Sequence, residues 1–410
     1  MNRVFEHPRA RAHKGFLLPF AALFAEQLRA RGYAPGSVKA SSGLVKDFAV
    51  WFDQRGFENS IVSCVDVTEY LAERWRRRRR RRGDAFTLRS FVGFAVGDGI
   101  ATEPTPLAAS TPARQLLQQF EQYLQCERGL AAASIRLYSE AVGRFLAHTF
   151  GDRQVRLDEL GAAEVVRFVQ VEAARLRHAK RAKVMTTALR SFLRFGRYRG
   201  EIVGDLHACV PTVANWSMAG IPRTILASQV DRLLASCDRR TANGRRDHAM
   251  LLLMARLGLR AGEVVDLQLE DLDWDEGVIR IRGPAQRCDQ LPLPADVGAA
   301  LAEYLHEARP ASSARNVFIR ARAPRTALRG PSAVSCVVAR ALQRAGIDAP
   351  TKGAHLLRHS LATQMLGGGA SLAEIAEILR HRNPQTTTIY AKVDLASLGA
   401  LALPWPGGAR

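Results

Sequence analysis

The 410-residue chain has no Cys-x-x-Cys pair: its six cysteines stand scattered at positions 64, 126, 209, 237, 288 and 336. None has a histidine at ligand spacing, which argues against a structural zinc site, and the scatter argues against a disulfide scaffold. Walker-type nucleotide loops and EF-hand patterns are also missing, so the chemistry is expected to run without ATP, a metal or any other cofactor. No apolar run approaches the ~18 residues of a membrane span, and the start, Met1-Asn2-Arg3-Val4, lacks the compact apolar segment of a signal peptide. A cytoplasmic protein with no membrane contact is therefore expected. Acidic residues are scarce: 39 Asp and Glu face 59 Lys and Arg, a formal charge of +20 that points to a polyanionic partner, nucleic acid first.

What the chain does have is concentrated in its last third: Arg260, then His355-Leu356-Leu357-Arg358, then His381, then Tyr390. Each residue type has a separate use at a phosphodiester. Two guanidiniums can grip non-bridging oxygens and neutralise the charge of a pentavalent transition state. Two imidazoles can move protons near neutral pH. A tyrosine hydroxyl can attack phosphorus if a neighbour takes its proton, leaving a covalent phosphotyrosine.

Each of these residues sits in a longer box. Ala255-Arg256-Leu257-Gly258-Leu259-Arg260-Ala261-Gly262-Glu263 runs on to Asp271-Leu272-Asp273-Trp274; Ala354-His355-Leu356-Leu357-Arg358-His359-Ser360 forms an H-x-x-R-H pattern; Ile378-Leu379-Arg380-His381 precedes Thr386-Thr387-Thr388-Ile389-Tyr390. In order and spacing the three boxes resemble the tyrosine recombinase (phage integrase) family over residues 222–395, with Arg380 where glycine is usual. The resemblance implies a mainly α fold with a small antiparallel β-sheet in an integrase-type catalytic domain, preceded by helical DNA-binding modules. It implies that Tyr390 attacks the scissile phosphate, that Arg260 and Arg358 hold the phosphoryl group, that His355 is the general base and that His381 hydrogen-bonds the phosphate. Double-stranded DNA at a specific site is the implied partner, bound by a homotetramer or an assembly of related recombinases. Glu263, one turn beyond Arg260, can orient a basic residue or be a plain surface carboxylate, whereas His359 points about 100° from Arg358 on a helix and reads as a histidine that packs or that supports the site residues from behind.

The amino-terminal half contains a weak repeat. Phe24-Ala25-Glu26-Gln27-Leu28 matches Phe120-Glu121-Gln122-Tyr123-Leu124, Phe48 falls opposite Phe145, and Leu88-Arg89-Ser90-Phe91 matches Leu189-Arg190-Ser191-Phe192. Apolar residues at helical spacing in each copy predict two four-helix modules within 1–105 and 111–202, joined through the proline-containing stretch 102–106. By resemblance the second module is a core-binding clamp, and its residues Arg177, Lys180, Arg181, Lys183, Arg190 and Arg194 suit phosphate contact. The run Arg76 to Arg82 reads as an extended or frayed loop.

In the catalytic half the patterning predicts helices from Ser228, over 247–257, 260–269, 295–308, 332–345 and 355–366. Strands are expected at Val278–Arg282, around Leu291-Pro292-Leu293 and at Val317-Phe318-Ile319. Ser371 and Glu374 form a capping box, and Asn383-Pro384 starts a short helix carrying Tyr390. The tail 396–410 is expected to dock on a neighbouring subunit or on its own domain.

One departure stands out. The family places a lysine in the hairpin between the second and third strands as general acid; here the turn reads Arg282-Gly283-Pro284-Ala285-Gln286-Arg287, with Pro284 at that place. Arg287 can stabilise charge there but is a poor proton donor, and Lys352 is a candidate replacement. The main expectation is a site-specific recombinase working through a 3′-phosphotyrosine. A catalytically weak accessory DNA-binding protein and a topoisomerase are the competing readings.

Overall fold

The structure, a computed structural model, describes residues 17–55, 62–81, 83–97, 111–151, 153–176, 178–213, 221–283, 288–381 and 383–393. The stretch 102–106, Arg82, Arg177, Pro284, Arg287 and the tail 396–410 lie outside them. Packing divides the chain into two compact units, one formed by residues 1–103 with 220–410 and the other by residues 104–219.

The first unit opens with four helices: α1 (Leu18–Ala30), α2 (Pro35–Gln54), α3 (Cys64–Arg77) and α4 (Asp84–Gly97). Pro35 sits in the first turn of α2, where its missing N–H leaves nothing unpaired. Ser63 and Asp66 close a capping box at α3, with the Ser63 amide 2.7 Å from the carboxylate. The arginine run is only partly a loop: Arg76 and Arg77 complete α3, and Arg78 to Arg81 continue exposed. Arg77 pairs with Glu73 at 3.1 Å, and the Arg80 guanidinium lies 4.4 Å from the centre of the Trp75 ring.

The second unit repeats this plan with α5 (Pro112–Cys126), α6 (Ala132–Phe150), α7 (Ala162–Arg175) and α8 (Ala179–Tyr198). Each module buries the same aromatic arrangement. Phe24 meets Phe91 edge-on at 5.5 Å and 76°, as Phe120 meets Phe192 at 5.4 Å and 86°. Phe48 and Phe145, also opposite one another in the repeat, are both fully buried. Rings that fill equivalent cores in this way contribute through buried area and edge-to-face geometry together.

The catalytic half continues with α9 (Ala227–Ala235), α10 (Ala242–Arg256), α11 (Ala261–Asp266), α12 (Ala295–Glu307), α13 (Pro331–Arg344), α14 (His355–Gly367) and α15 (Leu372–Ile378). Its three-stranded antiparallel sheet runs β1 (Leu272–Asp273), β2 (Val278–Arg282), β3 (Cys288–Pro292), with Ile279 opposite Leu291. Alternation in β2 buries Ile279 and Ile281 against the core and leaves Arg280 and Arg282 on the other face.

Three local expectations need correction. Val317-Phe318-Ile319 is fully buried but is no strand; β1 supplies the third member of the sheet instead. The Arg309 guanidinium takes the carbonyls of Ala314 at 2.6 Å, Asn316 at 2.9 Å and Val317 at 3.1 Å, which removes acceptors a ladder would need. The helix expected over 260–269 ends at Asp266, followed by a 3₁₀ turn at Leu269–Asp271. The tyrosine segment is two 3₁₀ turns, Pro384–Thr386 and Thr388–Val393, because Asn383 and Thr388 side chains bond backbone groups two and three residues away.

Phe192 touches Phe120, Phe145 and Phe195 and is fully buried. Phe192→Ala is expected to destabilise the second unit by about 3–5 kcal/mol. The check is the urea midpoint followed by circular dichroism; an unchanged midpoint would show that these rings do not hold the module.

Candidate active site

The site is built where the α10–α11 turn, the start of α14 and the turn after α15 converge. Gly258 makes the first turn possible. Its φ is +59°, and a Cβ there would lie 2.6 Å from Leu379 Cδ2 and 3.1 Å from Leu361 Cδ2. The freed Gly258 carbonyl accepts a hydrogen bond from Arg358 Nη1, and the Leu379 carbonyl accepts one from Arg358 Nη2. Arg358 is thus a buried guanidinium, 4% exposed, caged by main-chain oxygens.

Arg260 lies at the start of α11 and is partly exposed. Its Nη1 donates to Glu263 Oε1 at 2.6 Å, and its Nη2 donates to the Arg380 carbonyl at 3.3 Å. Glu263 also accepts from the Arg260 amide at 2.8 Å and from Arg380 Nη2 at 2.8 Å. Arg260, Glu263, Arg282, Asp289, His355, Arg380 and His381 all line one cleft of about 940 Å³. His355 is exposed at the first turn of α14.

Tyr390 is buried, 1% exposed, and is not among the residues that line the cleft. Its hydroxyl lies 2.8 Å from His359 Nδ1. The sequence suggested a packing or supporting role for His359 and gave the tyrosine's proton to His355. In the structure His359, one turn further along α14, touches the phenol, with its ring 6.3 Å from that of His355. His381 stacks on Tyr390, the rings 6.5 Å apart and 4° from parallel, and its Nδ1 is 2.7 Å from Thr387 Oγ1. Thr387 is buried, so one of the three threonines fixes the His381 ring while Thr388 closes the turn.

The electrostatics follow from burial among cations. Desolvation first, then Arg260 and Arg380, lower the Arg358 pKa to about 10. Desolvation, then His355 and Arg358, take His359 down to about 4. His381 also falls to about 4, through desolvation and the Arg358 and Arg260 charges. Both imidazoles are therefore neutral at pH 7, and a neutral Nδ1 can accept the Tyr390 hydroxyl's hydrogen bond. Burial raises the Tyr390 pKa, opposed by Arg358. Burial pushes the Glu263 carboxyl up, but the Arg260 amide and the Arg380 and Arg260 guanidiniums overcome it and hold the acid below its ordinary value.

Among the basic residues of α8, Lys180, Arg181, Lys183 and Arg194 are exposed. Lys180, Lys183, Arg190 and Arg194 fall within about 80° of one helix face, with Arg181 about 100° round. Arg190 is half-buried, and its Nη2 is engaged by the carbonyls of Val210 at 2.9 Å and Pro211 at 3.1 Å. It fastens the segment after the module. Lys352 is exposed but does not line the cleft. Among the described residues, no cluster of three or more His, Cys, Asp or Glu could hold a metal, and no helix is long and apolar enough to cross a membrane.

The model of the phage integrase family matches residues 223–396, and that of the phage integrase N-terminal SAM-like domain matches residues 117–200. The Sinorhizobium fredii (strain NBRC 101917 / NGR234) protein y4rA, named provisionally as an integrase/recombinase, is 47% identical over 400 residues, 96% of this chain and 95% of that protein. The chain belongs to the phage integrase family. Its fold is that of the tyrosine recombinases. XerH site-specific recombinase bound to a palindromic difH substrate gives a TM-score of 0.55 at 19% identity, over 76% of this chain and 93% of that one. A λ integrase tetramer bound to a Holliday junction gives 0.51 at 15% identity, over 76% and 87%.

In this recombinase-family site, His359 and His381 set a pH dependence. Their folded pKa values of about 4 lie below the ordinary 6.5, so the unfolded chain binds more protons between those values. Stability from these two groups is complete above pH ~6.5 and is lost as pH falls towards ~4. The thermal midpoint is expected to drop across that window, and less steeply in a His359→Gln/His381→Asn variant. Equal slopes would show that neither ring is held neutral by the fold.

Proposed function

We propose that this protein is a site-specific DNA recombinase that cuts and rejoins DNA through a 3′-phosphotyrosine on Tyr390. The observation that carries the reading is the Tyr390 hydroxyl on a neutral imidazole, 2.8 Å from His359 Nδ1, beside a cleft lined by Arg260, His355 and His381. Phosphoryl transfer needs charge neutralisation, an oriented nucleophile and a proton acceptor, and these residues supply the three.

Brought to a phosphate in the cleft, Tyr390 Oη forms a bond to phosphorus as the bond to the 5′-oxygen breaks. The phenol proton passes to His359, and the leaving 5′-oxygen takes one from water. Arg260 neutralises the pentavalent phosphorus, with the buried Arg358 charge behind the cleft wall adding to the field, and His355 and His381 hydrogen-bond its oxygens. A 5′-hydroxyl from a second strand then attacks the phosphotyrosine and restores Tyr390, so the energy of the bond is conserved and no cofactor is consumed. With Pro284 at the hairpin position where relatives carry lysine, the leaving oxygen lacks a dedicated acid, at a cost of about 100- to 10,000-fold in rate.

Duplex DNA is the partner this reading requires. The formal charge of +20 and the exposed Lys180, Arg181, Lys183 and Arg194 suit backbone contact, and the XerH and λ integrase structures contain DNA. A tetramer on two sites is the assembly proposed, as in the λ integrase–junction complex.

A labelled, nicked duplex from the ends of the native element should give an SDS-resistant adduct with the wild type and none with Tyr390→Phe, while both variants shift the duplex equally. A shift without any adduct from the wild type would replace this reading with an accessory DNA-binding role.

A further inference from the structure

Among the described residues, Arg380 is the one non-glycine residue with a positive φ, at 53°. That backbone region disfavours any residue with a Cβ, and glycine enters it freely. The turn itself therefore gives no reason for an arginine. The turn's own work is done by its main chain: two successive carbonyls, of Leu379 and Arg380, accept from Arg358 Nη2 and Arg260 Nη2. The side chain must have another use, since backbone strain persists where surrounding contacts hold it.

Those contacts are specific. The Arg380 side chain is 7% exposed and its Nη2 lies 2.8 Å from Glu263 Oε2, while the other oxygen of the same carboxylate holds Arg260 Nη1 at 2.6 Å. Arg380 Nε is buried with no hydrogen-bond partner, and 3.9 Å separates it from Asp289 Oδ2 on β3. One carboxylate is thus shared by two guanidiniums, one partly exposed and one buried, both at the wall of the same cleft.

We infer that Arg380 is a positioning residue for Arg260, clamping Glu263 from behind and cancelling its charge so that the Arg260 guanidinium remains available to a phosphate. The inference rests on the reading of the cleft as a phosphate site. Within the group Arg260, Arg358, Arg380 and Glu263 the charges sum to +2, three cations less one anion; without Arg380 the sum is +1. With one cation fewer, Glu263 would compete with the phosphate for Arg260. The extra guanidinium stands on the side of the cleft nearest β3, in a chain whose β2–β3 turn carries Pro284 in place of a lysine.

The test uses inorganic orthovanadate, a tetrahedral phosphate mimic that needs no target sequence, titrated into the full chain and followed by vanadium NMR. Arg380→Gly, which suits the turn's backbone but takes a partner from the buried Glu263 carboxylate, should weaken vanadate binding by about 10- to 100-fold while circular dichroism shows the chain still folded. Arg380→Lys should recover part of the loss. In a Glu263→Gln background, with no carboxylate charge left to cancel, Arg380→Gly should cost far less vanadate affinity. Wild-type vanadate affinity in Arg380→Gly, or an equal loss in both backgrounds, would overturn the proposal. Absence of vanadate binding by the wild type would overturn it together with its phosphate-cleft premise. Vanadate binding that follows the expected pattern, with no DNA adduct from the wild type, would leave Arg380 in place and fault the Tyr390 reading alone.

Discussion

A buried guanidinium holds this catalytic half together. Arg358 is almost fully enclosed, and such a charge is tolerable only if its donors are taken. The carbonyls of Gly258 and Leu379 take them, and each carbonyl belongs to a different turn. Arg358 therefore fixes the α10–α11 turn, which starts the helix of Arg260, and the turn after α15, which leads to His381 and the Tyr390 segment. Leaving those two carbonyls unpaired would cost about 1–3 kcal/mol each, and the site's parts would lose their common reference. Burial first, and then this charge with Arg260 and Arg380 close by, keeps His381 neutral, and Arg358 opposes the rise that burial gives the Tyr390 pKa.

Around this point the fold separates rigidity from chemistry. The large core of α9 to α14 packs Leu251, Leu253, Val264 and Val338 with no exposed surface, whereas Tyr390 belongs to a small separate cluster with Ala362, Ile375 and Leu379. Three guanidiniums and three histidines are thus set at the start of α11, on α14 and in the turn after α15, while the tyrosine rides on short 3₁₀ turns. Such turns bury little and hold few internal hydrogen bonds, which suits the proposed role of Tyr390, reached from a buried resting place. The two four-helix modules show the opposite economy: each closes on edge-to-face phenylalanines, Phe24 with Phe91 and Phe120 with Phe192, and leaves its basic residues outside.

Much of this was legible in the sequence because the signals were local. Apolar spacing marked the helices of both modules, Ser371 and Glu374 form the capping box their order announced, and alternation marked β2. Arg260, His355, Arg358, His381 and Tyr390 could be singled out by residue type and order. What could not be read depends on contacts between distant segments. His359 looked like a packing or supporting residue because its direction on α14 was judged against Arg358, 100° away, and not against a tyrosine 31 residues later. Arg380 was visible as a departure from glycine, but its partner Glu263 lies 117 residues earlier. Arg190 reads as one basic residue among several until its guanidinium is found on the carbonyls of 210 and 211. Val317 to Ile319 has the composition of a strand and the burial of one, and the Arg309 side chain decides otherwise.

The central claim is that a single phenol becomes bonded to DNA. It is tested most directly by digesting the trapped protein–DNA complex with nuclease and protease and sequencing the modified peptide by mass spectrometry. The account predicts a nucleotide joined through its 3′-phosphate to Tyr390 within the peptide containing Thr386-Thr387-Thr388-Ile389-Tyr390. A nucleotide on any other residue, or one joined through a 5′-phosphate, would contradict it.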